Sequence, residues 1–141
     1  MSTPKDPGSG DASGVFWAPS SLDPRDETRS YARTAHYDRV KSRSNYHLLI
    51  NTAVRRVVFE NKRAAGIECI SRQTNQVSTI LASKEVILAA GAVNSPKILQ
   101  LSGIGPDNLL KRLGIKTVVD LPGVGENFQD HPTLFAVYNC K

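Results

Sequence analysis

The chain has 141 residues, 40% of them hydrophobic, and carries 18 Lys and Arg against 13 Asp and Glu, a formal net charge of +5. That length suits one domain with a modest core. Cys69 and Cys140 give neither a disulfide framework nor metal-ligand spacing, and no apolar run approaches the ~20 residues of a membrane helix.

The elements follow in chain order. Residues 1–13 are rich in Ser, Gly, Pro and Asp and predict a mobile polar tail. No leader-like apolar segment follows Met1, so the default is a soluble, cytoplasmic chain. Residues 14–22 place Phe16 and Trp17 ahead of Pro19-Ser20-Ser21, a loop whose aromatic pair needs a surface to pack on. Asp23-Pro24 opens a helix expected over 26–42, with Tyr31, Ala32, Ala35 and Val40 as a thin apolar stripe. Arg25, Arg29, Arg33, Arg39, Lys41 and Arg43 crowd this segment. Without interleaved aromatics or a binding motif they read as a solvated helix face and not as a nucleic-acid surface.

Residues 47–60 read as a strand pair or one bent strand, and residues 61–63 as a turn. Residues 65–72 alternate like a half-buried strand in which Cys69 is a core thiol. After a turn over 73–76, residues 77–82 make a further strand. The run over 84–90 is continuously apolar in Val86-Ile87-Leu88-Ala89-Ala90 and reads as a fully buried strand. These strands predict an antiparallel meander feeding a parallel sheet. Gly91 and Ala92 permit close approach of the backbone. Asn94 and Ser95 offer cap side chains and Pro96 suits the first turn of a helix ending at Ser102-Gly103. Gly103, Gly105 and Pro106 then force a tight loop. A second helix is expected over 106–113, with Gly114 as its stop, and a last short strand over 117–119.

Chemistry-bearing residues are few. Gly8-Ser9-Gly10, Gly103-Ile104-Gly105 and Gly123-Val124-Gly125 all lack the strand–turn–helix setting of a phosphate-binding glycine turn. Asn127, Asp130 and His131 form the most polar cluster. A His beside an Asp suits acid–base work, but bracing a loop through hydrogen bonds is the favoured reading.

The segment over 84–106 resembles a signature of the glucose–methanol–choline family of flavin oxidoreductases. The matching residues are Ala89-Ala90-Gly91-Ala92, Ser95-Pro96, Leu99 and Ser102-Gly103-Ile104-Gly105-Pro106. The likeness continues in Leu121-Pro122-Gly123-Val124-Gly125-Glu126-Asn127-Phe128-Gln129-Asp130-His131-Pro132. Upstream it includes Thr28-Arg29-Ser30-Tyr31-Ala32 and Ile50-Asn51-Thr52-Ala53-Val54, so that it covers about 14–132. Phe16-Trp17-Ala18-Pro19-Ser20-Ser21 looks most like fungal members.

The resemblance implies an α/β fold: residues 14–141 as part of a Rossmann-like FAD-binding domain with an antiparallel β-meander crossover. The N-terminal dinucleotide-binding βαβ unit is expected to be lacking, and the end of the chain leads toward a substrate domain. FAD is the implied cofactor. Val54 matches a position whose backbone contacts adenine, and Ala90 and Gly91 match the crossing beside the cofactor. Asn127, Asp130 and His131 lie on the segment returning toward the flavin. His36, His47 and His131 do not match the family's catalytic histidine, so no catalytic residue and no metal ligand is expected here. In an intact relative a base takes the hydroxyl proton of a small-molecule alcohol while hydride passes to the flavin. The alternatives are a family lyase or cyclase without net redox chemistry, and a non-catalytic module. A buried strand without its neighbours is also expected to leave a sheet edge open to self-association.

Overall fold

The computed structural model describes residues 3, 14–16, 20–130 and 132, and the chain divides into two compact units, Met1–Leu48 and Leu49–Lys141. Apart from Thr3, the tail expected over 1–13 lies outside the described residues, as do Trp17 and Cys140.

In the first unit the helix is shorter than its apolar stripe suggests. A π-helical turn, Arg33–Tyr37, runs into α1 (Asp38–Val40). The residues before it are held in a turn by their own side chains. Asp23 accepts the Arg25 backbone N–H at 3.0 Å and pairs with its guanidinium at 2.6 Å. Asp26 accepts the N–H and O–H of Thr28 at 3.1 and 2.9 Å. Leu22 bridges Arg29 across this turn. Such local bonds offer the backbone a partner other than the helix ladder, and they delay helix formation past Ser30.

The second unit contains the expected meander. Strands β1 (Thr52–Glu60), β2 (Arg63–Ser71) and β3 (Val77–Leu81) pair antiparallel in the order β1-β2-β3. Glu60 faces Arg63, so Asn61 and Lys62 alone make the turn, with φ of 48° and 65°. Positive φ at both positions is the type I′ hairpin geometry that matches strand twist. β1 starts at Thr52, later than residue 47, because Asn51 adopts a φ of 53° that interrupts an extended strand. Cys69 is buried in β2 as expected, with its thiol against Ser78.

The run over 84–90 corrects the sequence reading. It forms no strand among the described residues, and Ile87 is 78% exposed. A strand apolar on both faces needs pairing neighbours and covering layers, and no described strand pairs with it. The helix that follows, α2 (Gly91–Leu101), begins five residues ahead of Pro96. Asn94 and Ser95 are therefore inside it and are not N-caps. Ser95 still serves the helix start, since its hydroxyl accepts the backbone N–H of Ala90 at 3.1 Å.

Beyond α2, the expected tight loop contains a short strand, β4 (Ile104–Gly105). It pairs in parallel with β5 (Val119–Asp120) across α3 (Asp107–Arg112). Gly103 makes the sharp entry: its φ is 86°, and a Cβ there would stand 2.5 Å from the Lys116 carbonyl oxygen. Asp120 returns to cap α3, accepting the Asp107 N–H at 3.0 Å.

Leu110 is fully buried, and Val57, Cys69, Ile98 and Val124 complete the small apolar core. The buried polar residue is Ser102, at the end of α2. Its hydroxyl donates to the Ile98 carbonyl and accepts the Val57 N–H at 2.8 Å. Ser102→Ala should destabilise the fold by about 1–3 kcal/mol, because it leaves a buried N–H without a partner. Urea unfolding measures this, and an unchanged midpoint would contradict the tether.

Candidate functional site

The site forms where β1 passes α2. The chain pairs Val54 with Cys69 and then Arg56 with Glu68, which leaves Arg55 as an extra residue in a β-bulge. The bulge places two successive arginines opposite one carboxylate. Arg55 Nη1 lies 3.2 Å from Glu68 Oε1 and Arg56 Nη2 lies 2.8 Å from Glu68 Oε2. The hydrogen bond from Arg56, with the charges of Arg56 and Arg55, holds the Glu68 carboxyl below its ordinary range. The same contact raises Arg56.

A cavity of about 570 Å³ lies against this bulge. Its β1 wall runs from Ala53 through Arg56, and its α2 wall carries Asn94, Lys97, Ile98 and Leu101. Val54 and Ala90, both anticipated at a cofactor, line this one cavity. Gly91 follows at the start of α2 with a φ of 85°, and no atom lies within 4 Å of the place a Cβ would take. The backbone therefore adjoins open space at the helix start.

Asn127 lies elsewhere. It lines a separate hollow of about 400 Å³ with Ala92, Pro96, Gly125 and Phe128. Its side-chain oxygen accepts a hydrogen bond from Gln129 at 2.6 Å. Gln100 of α2 holds the preceding loop by donating to the Val124 carbonyl at 3.1 Å. Asp130 is exposed and lines neither hollow. His131 lies outside the described residues. Among the described residues no cluster of His, Cys, Asp and Glu is placed to hold a metal ion.

Sequence reasoning did not anticipate the charged wall of the main cavity, formed by Arg55, Arg56, Glu68, Arg72 and Lys97. One signal was present. Arg55-Arg56 breaks the alternation of an otherwise apolar strand, as an inserted bulge residue does.

The fit to a flat dinucleotide can be tested on these walls. The sheet ends at β1, so half of that strand's backbone donors and acceptors point away from β2. Ala53, Val54, Ile98 and Leu101 supply apolar surface, and Ala90 and Gly91 leave room for close approach. These features suit a base and sugar. A glycine turn for a pyrophosphate is not among them.

Acid should loosen this site. The Glu68 carboxyl is depressed in the fold, so its stabilisation is complete above the ordinary carboxylate pKa of about 4. It is lost as pH falls through the lower, folded value. Urea unfolding between neutral pH and strong acid should therefore show a stability loss that Glu68→Gln reduces; identical slopes for both proteins would exclude the pair as its source.

The family model described as GMC oxidoreductase matches residues 1–133. The chain is 49% identical over 133 residues to the dehydrogenase xptC of Emericella nidulans, covering 94% of this chain and 21% of that one. Among solved structures, an FAD-dependent oxidoreductase from Chaetomium thermophilum superposes with a TM-score of 0.74 at 53% identity, covering 78% of this chain and 19% of the other. A fungal aryl-alcohol oxidase matches with a TM-score of 0.74 at 42% identity, over 79% and 19% of the two chains. The chain thus spans about a fifth of the length of these relatives. The comparisons bear out the resemblance, the partial flavin-domain fold and FAD as the cofactor indicated.

Proposed function

Because the chain belongs to the GMC oxidoreductase family, we propose that it forms part of the FAD site of a flavoenzyme that oxidises a small-molecule alcohol. The observation that carries this reading is the meeting of Val54 and Ala90, from distant parts of the sequence, on one cavity. The edge backbone of β1 around Val54 offers paired donors and acceptors to the rim of a base. Ala90 and Gly91 keep the α2 entrance free of side-chain bulk. Asn127, with Asp130 and His131 beyond it, belongs to the stretch that leads toward the flavin ring and the substrate side. The aryl-alcohol oxidase among the matching structures supports an alcohol as the reductant.

Bound FAD supplies the acceptor for a hydride leaving the alcohol carbon. The residues that line the cavity, Val54 and Ala90 among them, bind and shape. A non-catalytic module would keep the cavity walls without needing the open backbone at Gly91, so the open backbone favours the flavin reading.

Titrating the labelled chain with AMP, followed by amide NMR, tests the assignment. Shifts are expected at Val54, Ala90 and Gly91, saturating at roughly millimolar ligand as suits a small ligand held by few groups. Shifts confined to other residues would overturn it. A second expectation follows from the missing glycine turn: the 141-residue chain with added FAD turns over no aryl alcohol. Measurable aldehyde production would show that this chain carries a proton acceptor of its own.

A further inference from the structure

The first unit carries a groove that the flavin reading does not use. Its volume is about 680 Å³, and it is lined between Ala32 and Leu48. Arg33, His36, Tyr37 and Val40 recur at helical spacing along the π-helical turn and α1, and all four line it. The Asp38 N–H bonds back to the Arg33 carbonyl, which makes the wide turn that is frequent at functional sites. The chain then folds back. The Arg43 N–H bonds the Val40 carbonyl at 2.9 Å, and the Tyr46 N–H bonds the Arg43 carbonyl at 3.1 Å. That return sets the Tyr46 ring 5.8 Å from the Tyr37 ring, tilted by 55°. Leu48 extends the apolar wall. The charge at the groove has one sign: Arg33 and His36 line it, and among the described residues no Asp or Glu does. Asp38 stands on the same helix, but Lys41 Nζ holds its carboxylate at 2.9 Å. Arg33 Nε is 3.8 Å from that carboxylate, too far for a hydrogen bond. With its side chain 68% exposed, Arg33 keeps its donors for a ligand.

We infer that this groove binds a small aromatic carboxylate, its ring against Tyr37, Tyr46, Val40 and Leu48 and its carboxylate on the Arg33 guanidinium, with His36 as a further donor. The volume suits a small organic ligand. A tilted ring pair offers a third ring both a face and an edge. A planar guanidinium meets a carboxylate through two parallel N–H bonds. The single sign of charge argues against a cation. It also argues against a second copy of this chain, which packed face to face would bring its own Arg33 and His36 against these. The inference is independent of the flavin reading, which rests on Val54, Ala90 and Gly91.

Amide NMR on the full labelled chain, titrated with naphthoate, naphthylmethanol and naphthylmethylamine, tests the groove. Naphthoate should shift amides over 33–48 and saturate at roughly millimolar ligand. The neutral alcohol should bind about threefold to tenfold more weakly, the effect of losing one charge-assisted contact at a wet rim. The ammonium should be weaker still. Arg33→Gln should abolish the preference for naphthoate over the alcohol and leave the alcohol's affinity unchanged, a split that unfolding does not produce. Tyr46→Ala should weaken both ligands alike. Equal affinities for the three ligands in the unsubstituted chain overturn the proposal without recourse to any variant. A preference for naphthoate that survives Arg33→Gln overturns it too, as do naphthoate shifts confined to residues outside 33–48. Shifts over 33–48 that follow protein concentration with no ligand added assign the groove to a second copy and sink the small-acid reading. The AMP titration reads Val54, Ala90 and Gly91, so either result can fail alone.

Discussion

One buried hydroxyl joins the two halves of the site. Ser102 ends α2 and reaches β1, where its oxygen takes the Val57 N–H while its proton goes to Ile98. Val57 lies just past the bulge, and Ile98 is the helix residue buried beside it. The contact therefore fixes where the helix crosses an edge strand whose outer backbone groups would otherwise need water. With α2 anchored at this end, the cavity lined by Val54 and Ala90 lies along the crossing of α2 and β1. A larger apolar residue in place of Ser102 would fill the crossing but leave Val57 unsatisfied, so the small hydroxyl answers packing and hydrogen bonding together.

The bulge gives that crossing its chemistry. Regular pairing would send Arg55 and Arg56 to opposite faces of the sheet. With one extra residue both arginines oppose Glu68 and both line the same cavity. Exposed ion pairs contribute little to stability. The consequence is positional: the carboxylate spreads two guanidinium groups across one wall.

The meander was legible because its information is local. Alternation marks β2, and Asn61-Lys62 suits left-handed backbone at both turn positions. α3 and its stop at Gly114 could be read for the same reason. The start of α2 could not, because Pro96 looked like a first-turn residue while the chain was already helical from Gly91. Proline restricts the residue before it, yet a helix only five residues old at that point tolerates the lost bond. The parallel pair β4-β5 was hidden by its length, since two residues carry no periodicity. Of the expected site, Val54 and Ala90 come together and Asn127 joins a different hollow. Family likeness marks which residues matter, but only the path of the chain decides which of them share a wall.

The run over 84–90 shows why composition alone misled. Its five apolar residues are the pattern of a strand covered on both faces, and they lead straight into the Ala90-Gly91 crossing. Among the described residues they pair with nothing, and Ile87 stands open to solvent. Burial is a property of the assembly around a segment, whereas apolarity belongs to the segment itself. A chain that spans about a fifth of the length of these relatives can keep local signals of the flavin fold while this stretch pairs with no described strand. The contrast with β1 is instructive. β1 is also an edge, but Ser102 takes its outward Val57 N–H, and Glu68 pairs with the side chains at its bulge. The cavity wall made by β1 is thus set by local contacts, and the wall that begins at Ala90 depends on α2 alone for its position.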